Sequence, residues 1–115
     1  MTRGPDKSPS QTRIPRRRGL LSGKLVYGPT QHTLDCAISD MSQTGARIRL
    51  EGALALSDPL YLIDVTHGLA FMAKEIWRRD AEVGLSFQRY FDLRTPVPEL
   101  PSLVRRLWVE QTRSG

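Results

Sequence analysis

The amino-acid sequence predicts a mainly β protein: a small antiparallel β-barrel of about six strands, split-barrel in type, with one amphipathic helix at its C-terminal end. Three observations lead there. Apolar and polar residues alternate at period two in short segments between Leu25 and Phe87. Turn residues (Gly, Pro, Asp, Ser) separate those segments at regular intervals. Only from Leu100 onward does the apolar spacing become helical. Closing six short strands into a barrel removes the exposed edges that so small a sheet would otherwise present.

Residues 1–12 (MTRGPDKSPSQT) combine Pro, Gly, Ser and charge with almost nothing apolar and read as a flexible tail. Residues 13–19 are a basic run in which Pro15 disfavours helix at Ile14. Gly23 to Tyr27 reads as the first strand, stopped by Gly28-Pro29. Thr33 to Ser39 places Leu34, Cys36 and Ile38 on one face, and a turn is expected from Asp40 to Gly45. Ala46, Ile48 and Leu50 then alternate with Arg47 and Arg49, the pattern of a half-buried strand. Leu60–Val65, Leu69–Trp77 (interrupted by Lys74 and Glu75) and Glu82–Phe87 complete the set. Pro101 suits the first turn of a helix, and Glu99 suits its positive end. Leu100, Leu103, Val104, Leu107 and Trp108 form the apolar stripe of that helix, opposite Arg105, Arg106 and Glu110. The organisation is therefore a tail (1–12), a barrel with an N-terminal arginine arm (13–98) and a packed helix (99–115).

Bulk properties narrow the function. The 115 residues, 39% hydrophobic and 25% charged, suffice for one domain with a core. The chain contains no apolar run long enough to span a bilayer, and no secretory signal is expected from its polar N-terminus. A lone Cys36 allows no internal disulfide and no cysteine-based metal site, which fits a reducing, cytoplasmic location. Residues 1–18 hold six basic side chains against one acidic, which is the whole of the net charge of +5. A cationic arm on a neutral body calls for an anionic partner.

Two motifs carry the chemistry. Arg13-Ile14-Pro15-Arg16-Arg17 has an R-x-x-x-R spacing, and Asp40-Met41-Ser42-Gln43-Thr44-Gly45 has a D-x-S-x-x-G spacing at an expected turn between strands. An arginine fork can engage the N7 and O6 acceptors of guanine together, stack on a purine, or pair with phosphate. A carboxylate can accept from the N–H donors on guanine's other edge. A serine offers a small hydroxyl, and a glycine permits close approach or a positive φ. In that order and with strands between, the motifs resemble the PilZ family of cyclic di-GMP receptors. Gly23-Lys24-Leu25-Val26-Tyr27, Ile76-Trp77-Arg78-Arg79 and Gly84-Leu85-Ser86-Phe87 agree with it.

The resemblance implies a non-enzymatic effector in bacterial second-messenger signalling, without a cofactor, whose arm orders on the ligand and which modulates a protein partner. By the same resemblance Arg13 and Arg17 grip the ligand, while Asp40, Ser42 and Gly45 line the guanine site. Arg16 and Arg18, beside the match, are alternates for either arginine. Two other classes stay open. One is a PilZ-like barrel that does not bind the nucleotide and serves as a protein-interaction module. A small barrel with a basic arm also suits nucleic acid, but Tyr27, Phe71 and Phe87 read as core and leave few aromatics for base stacking, which ranks this reading last. Trp77 and Trp108 read as packing residues fastening helix to barrel, Cys36 as a small core residue, and His32 and His67 as surface turn residues without partners. Neither a catalytic grouping nor a metal-ligand set is suggested by the spacing.

Overall fold

A computed structural model describes residues 21–50, 55–95 and 97–114. Six strands run in the order β1 (Leu21–Tyr27), β2 (His32–Met41), β3 (Gly45–Arg49), β4 (Leu60–Asp64), β5 (Leu69–Arg79) and β6 (Glu82–Asp92), followed by helix α1 (Ser102–Ser114). Every pairing is antiparallel, and the strands close into a barrel in the order β1-β2-β3-β6-β5-β4.

The period-two alternation decides which residues fill the barrel. Leu25, Ile38, Ile48, Leu60, Leu62, Phe71, Val83 and Leu85 converge in its interior. Leu34 and Cys36 pack against that core from the inward face that the alternation assigned to them. Phe71 and Phe87 stack with ring centroids 4.0 Å apart. In β4 the alternation vanishes, because all five residues are buried. A strand covered on both sides reads as a continuous apolar run: Leu60 and Leu62 face the interior, while Tyr61 and Ile63 face outward under the helix.

That outer cover is a second core. Val26, Tyr61, Ile63, Ala70, Phe91 and Leu93 meet Leu100 and Val104, with Leu103, Leu107 and Trp108 packed at the margin. The Trp108 indole N–H donates to the Val65 carbonyl at 3.1 Å, and its ring lies against Gly68 in the β4–β5 turn. Trp108 thus fastens helix to barrel as its spacing predicts. Trp77 does not: it stands on β5 across from Gly84, away from the helix core and 40% exposed.

Several boundaries differ from the sequence expectation, each for a physical reason. β2 runs on through Asp40 and Met41, so the turn shrinks to Ser42–Thr44; Met41 is buried and holds the strand down. β6 extends five residues past Phe87 because Gln88 falls at a register shift, which breaks the alternation without breaking the strand. A second shift leaves Ile76 between Glu75 and Trp77, explaining the interrupted pattern of β5. Pro101 precedes α1 rather than sitting in it, and Glu99 faces Arg89 at 3.7 Å instead of entering the first helical turn. His32 belongs to β2, its ring tilted against Tyr27.

His67 is not a partnerless turn residue. Asp64, fully buried at the end of β4, lies 2.6 Å from the His67 ring Nδ1 and accepts from the His67 backbone N–H at 3.2 Å. A buried carboxylate needs such partners, so the pair ties the β4–β5 turn shut beneath Trp108.

The Cys36 thiol is pushed up to about 12, mainly by burial, with the charge of Asp35 adding and that of Lys24 opposing. A thiol whose pKa rises on folding keeps its proton where the unfolded chain would lose it. Its contribution to stability is therefore full below about pH 9 and declines between about 9 and 12. The native protein should resist alkylation at pH 8 and react within minutes in denaturant, as followed by mass spectrometry. Fast native labelling would show Cys36 outside the core.

Candidate ligand-binding face

The DxSxxG segment forms a tightly bonded hairpin end. Ser42 donates its backbone N–H to the Gly45 carbonyl at 2.9 Å, and its hydroxyl accepts from the Thr44 N–H at 3.3 Å. The same hydroxyl lies 3.3 Å from the Thr44 hydroxyl and 3.5 Å from the Gly45 carbonyl. Ser42 therefore shapes the turn from β2 to β3, as serine does elsewhere in turns. Gly45 opens β3 opposite Ser86, and its φ is not positive. A Cβ at Gly45 would run into the Leu85 carbonyl of β6. The glycine is thus required by strand packing: of the two reasons the sequence offered, close approach and a positive φ, the approach is to the Leu85 backbone and the φ is not positive. The turn is fastened on its other side by the Phe87 N–H, which donates to the Thr44 carbonyl at 2.8 Å.

Asp40 leads into this turn from β2. Its Oδ1 accepts the Met41 N–H at 3.0 Å, and its Oδ2 lies 3.7 Å from the Arg47 guanidinium across the pair. Register then lines up four residues on four neighbouring strands. Asp40 pairs with Arg47, Arg47 with Gly84, and Gly84 with Trp77. Three strand spacings of about 4.8 Å put the ends of this row roughly 14 Å apart. Gly84 leaves room in the row, and the Trp77 indole takes it: a Cβ there would strike the ring. The indole lies down over the strand, with part of its surface open to solvent. The result is an outward-facing row with a carboxylate on β2, a guanidinium on β3 and an aromatic ring lying over Gly84 of β6.

Asp40, Ser42 and Gly45 are thus brought together at one hairpin end. Arg13, Arg16, Arg17 and Arg18 lie outside the described residues. Chain connectivity still bounds where they can act. β1 begins at Leu21, opposite Ile38 and two residues short of Asp40. Since β1 and β2 are antiparallel, the chain enters β1 from the end at which β2 reaches Asp40.

A family model, the PilZ domain, matches residues 13–95, from the first arginine of the arm to the end of the barrel. The chain belongs to the PilZ family. That family comprises cyclic di-GMP receptors rather than enzymes. No curated protein and no solved structure matches the chain significantly. Among the described residues, no group of three or more His, Cys, Asp or Glu is placed to hold a metal, and no helix is long and apolar enough to cross a membrane.

Two members of this face escaped sequence reasoning. Arg47 reads in the sequence only as the outward half of an alternation, and Trp77 only as packing. The signal for Trp77 was Gly84: a glycine inside a strand marks a place where something approaches closely.

Replacing Gly45 with Ala should destabilise the domain by about 1–3 kcal/mol, because the added methyl meets backbone rather than a side chain that can rotate away. Urea denaturation would measure this. An unchanged midpoint would mean that β3 and β6 are not so closely apposed.

Proposed function

We propose that this PilZ domain is a cytoplasmic cyclic di-GMP effector whose arginine arm closes over the outer face beside β2 and β3, and whose ligand-bound form modulates a protein partner. One observation carries the reading: the cationic arm joins the barrel at the end where Asp40, Ser42 and Gly45 form the hairpin turn.

The chemistry follows from the parts. Arg13 and Arg17, with Arg16 and Arg18 beside them, supply forks for guanine N7 and O6 and for the phosphates. Asp40 accepts from the N–H donors of guanine's other edge. Trp77 offers its exposed ring to a base, a contact worth about 1–3 kcal/mol in other base–aromatic stacks. Ser42 and Gly45 hold the turn that aims Asp40. An arm that settles only when the ligand is present converts binding into a new surface for a partner.

Calorimetry should give a dissociation constant in the submicromolar to micromolar range, the order expected for a few charge-assisted contacts. GTP and cyclic di-AMP serve as controls. Arg13→Ala, Arg17→Ala and Asp40→Ala should each weaken binding by about tenfold or more, since each removes a charged hydrogen-bonding partner. At a ligand concentration 100 times the dissociation constant, the domain should gain about 2.7 kcal/mol. Absence of both heat and melting shift with excess cyclic di-GMP would remove the reading.

Intrinsic fluorescence gives a separate check. The ligand should quench or shift Trp77 emission, and Trp77→Ala should abolish that change while leaving Trp108 as an internal reference. A full response in Trp77→Ala would place the base elsewhere.

A second reading, a PilZ barrel that has kept a protein partner and lost the nucleotide, is favoured by Ile76, which stands 62% exposed on its bulge outside the row. It predicts a folded domain that ignores cyclic di-GMP, so the same titration separates the two.

A further inference from the structure

We infer that the groove along the outer face of α1 docks a segment of a partner protein in which a carboxylate stands beside apolar side chains, and that Arg105 and Arg106 receive the carboxylate. The inference does not rest on the cyclic di-GMP reading, since it concerns the surface that the helix adds to the barrel.

The sequence gives α1 two stripes. Leu103, Val104, Leu107 and Trp108 turn toward the barrel and are used in the second core. Ser102, Arg105, Arg106 and Val109 recur at spacings of three and four and form the opposite stripe. Between that stripe and the chain leading into the helix lies an open-sided groove of about 460 Å³. Val97, Pro98, Leu100 and Val109 supply its apolar walls, and Arg105 and Arg106 its charge. Val109 is half-buried yet belongs to neither core, so its remaining apolar surface is there for an incoming side chain.

The charge of the groove is not balanced from within. Lys24, Arg47, Lys74, Arg78, Arg89 and Arg94 each stand within 3.7 Å of a carboxylate. Arg105 and Arg106 face none among the described residues. Glu99, between two groove residues in sequence, is turned to Arg89 instead. Arg105 is held through its Nε, which donates to the Leu93 carbonyl at 2.8 Å; that single bond leaves both amino groups of its fork for another acceptor. Arg106, the next residue and exposed, adds a second cation.

Charge complementarity selects the occupant. A carboxylate meets a guanidinium already fixed by the backbone, so less side-chain freedom is lost on binding than with an unrestrained arginine. Apolar side chains next to it fill the walls. The N-terminal segment of this chain is basic and would be repelled. A flat polyanion is opposed as well: Glu110 lies one helical turn from Arg106, Glu99 lies beside Pro98, and both are exposed. A peptide segment with an acid among apolar residues satisfies both walls and charge.

The test selects a displayed library of random short peptides against the full chain and titrates the enriched peptides by fluorescence anisotropy. They should carry Asp or Glu next to Leu, Ile, Val or Phe. Arg106→Glu should weaken them by roughly tenfold to a hundredfold, the value of a hydrogen bond between charged groups. Exchanging the peptide acid for Lys should recover part of the affinity for Arg106→Glu. Val109→Ser should cost roughly fivefold to tenfold through lost apolar burial. Both residues lie on the outer stripe, so both variants should melt with the wild type; Arg105→Ala also frees the Leu93 carbonyl, which leaves the decision to Arg106. Peptides without an acid, or no enrichment at all, would overturn the inference. So would acidic peptides indifferent to Arg106→Glu, which would place them on the N-terminal arm, and binding to phosphatidylglycerol vesicles that Arg106→Glu abolishes while no peptide responds.

Discussion

Barrel closure is the constraint on which the remaining structure depends. Six strands can share one interior only when each inward position is apolar and each strand finds a neighbour on both sides. β1 pairs with both β2 and β4, and the long hairpin of β5 and β6 spans from β4 to β3. The interior is packed mainly with Leu, Ile, Val and Phe side chains, as expected for so few strands. Asp64 is the buried charged group among the described residues, and the His67 ring and backbone N–H meet its carboxylate. Among the described residues no other charged side chain is buried.

The outside of the barrel is divided between two uses. α1 covers the outward residues Val26, Tyr61, Ile63, Ala70 and Phe91, which belong to β1, β4, the start of β5 and the end of β6. The row from Asp40 to Trp77 uses β2, β3, the start of β6 and the end of β5. The two faces therefore share one hairpin, each taking a different half. The register shifts at Ile76 and Gln88 belong to this sharing, since an extra residue re-aims the side chains beyond it without ending the pairing. One glycine serves each purpose on this face: Gly45 lets β3 lie close to β6, and Gly84 lets an indole lie close to the strand.

Most of this fold was legible in the sequence, because period-two alternation is set by the same geometry that sorts side chains between interior and exterior. Leu34, Cys36, Ile38 and Ala46, Ile48, Leu50 fell on the inward face as read. The reading failed where a local irregularity reset the period, as at Gln88, whereas β4 was found as a strand over Leu60–Val65 even though both its faces are covered. The candidate site was legible only as far as motif residues reach along the chain. Asp40, Ser42 and Gly45 are neighbours in sequence and stayed neighbours in space. Arg47, Gly84 and Trp77 join them through the order β2-β3-β6-β5, and strand order is not written in any local pattern. The His67–Asp64 contact was missed for a similar reason: the histidine looked solitary until β4 was found to end on a buried carboxylate.

Charge is distributed in a way that gives arm and barrel separate tasks in the proposed function. The barrel and helix hold eleven basic and eleven acidic side chains, and many are matched locally, such as Lys24 with Asp35, Arg78 with Glu75 and Arg94 with Asp92. In the row itself, Arg47 balances Asp40. A nearly neutral face draws a dianion weakly, but it can discriminate between bases by the placement of donors and acceptors. The first eighteen residues carry the whole net charge, six basic against one acidic, and join the barrel beside that face. Coulomb attraction from such a segment reaches about a Debye length, near 8–10 Å at physiological salt. Attraction then belongs to the arm and selectivity to the barrel. A closed barrel resists changes of shape, because every strand is paired on both sides.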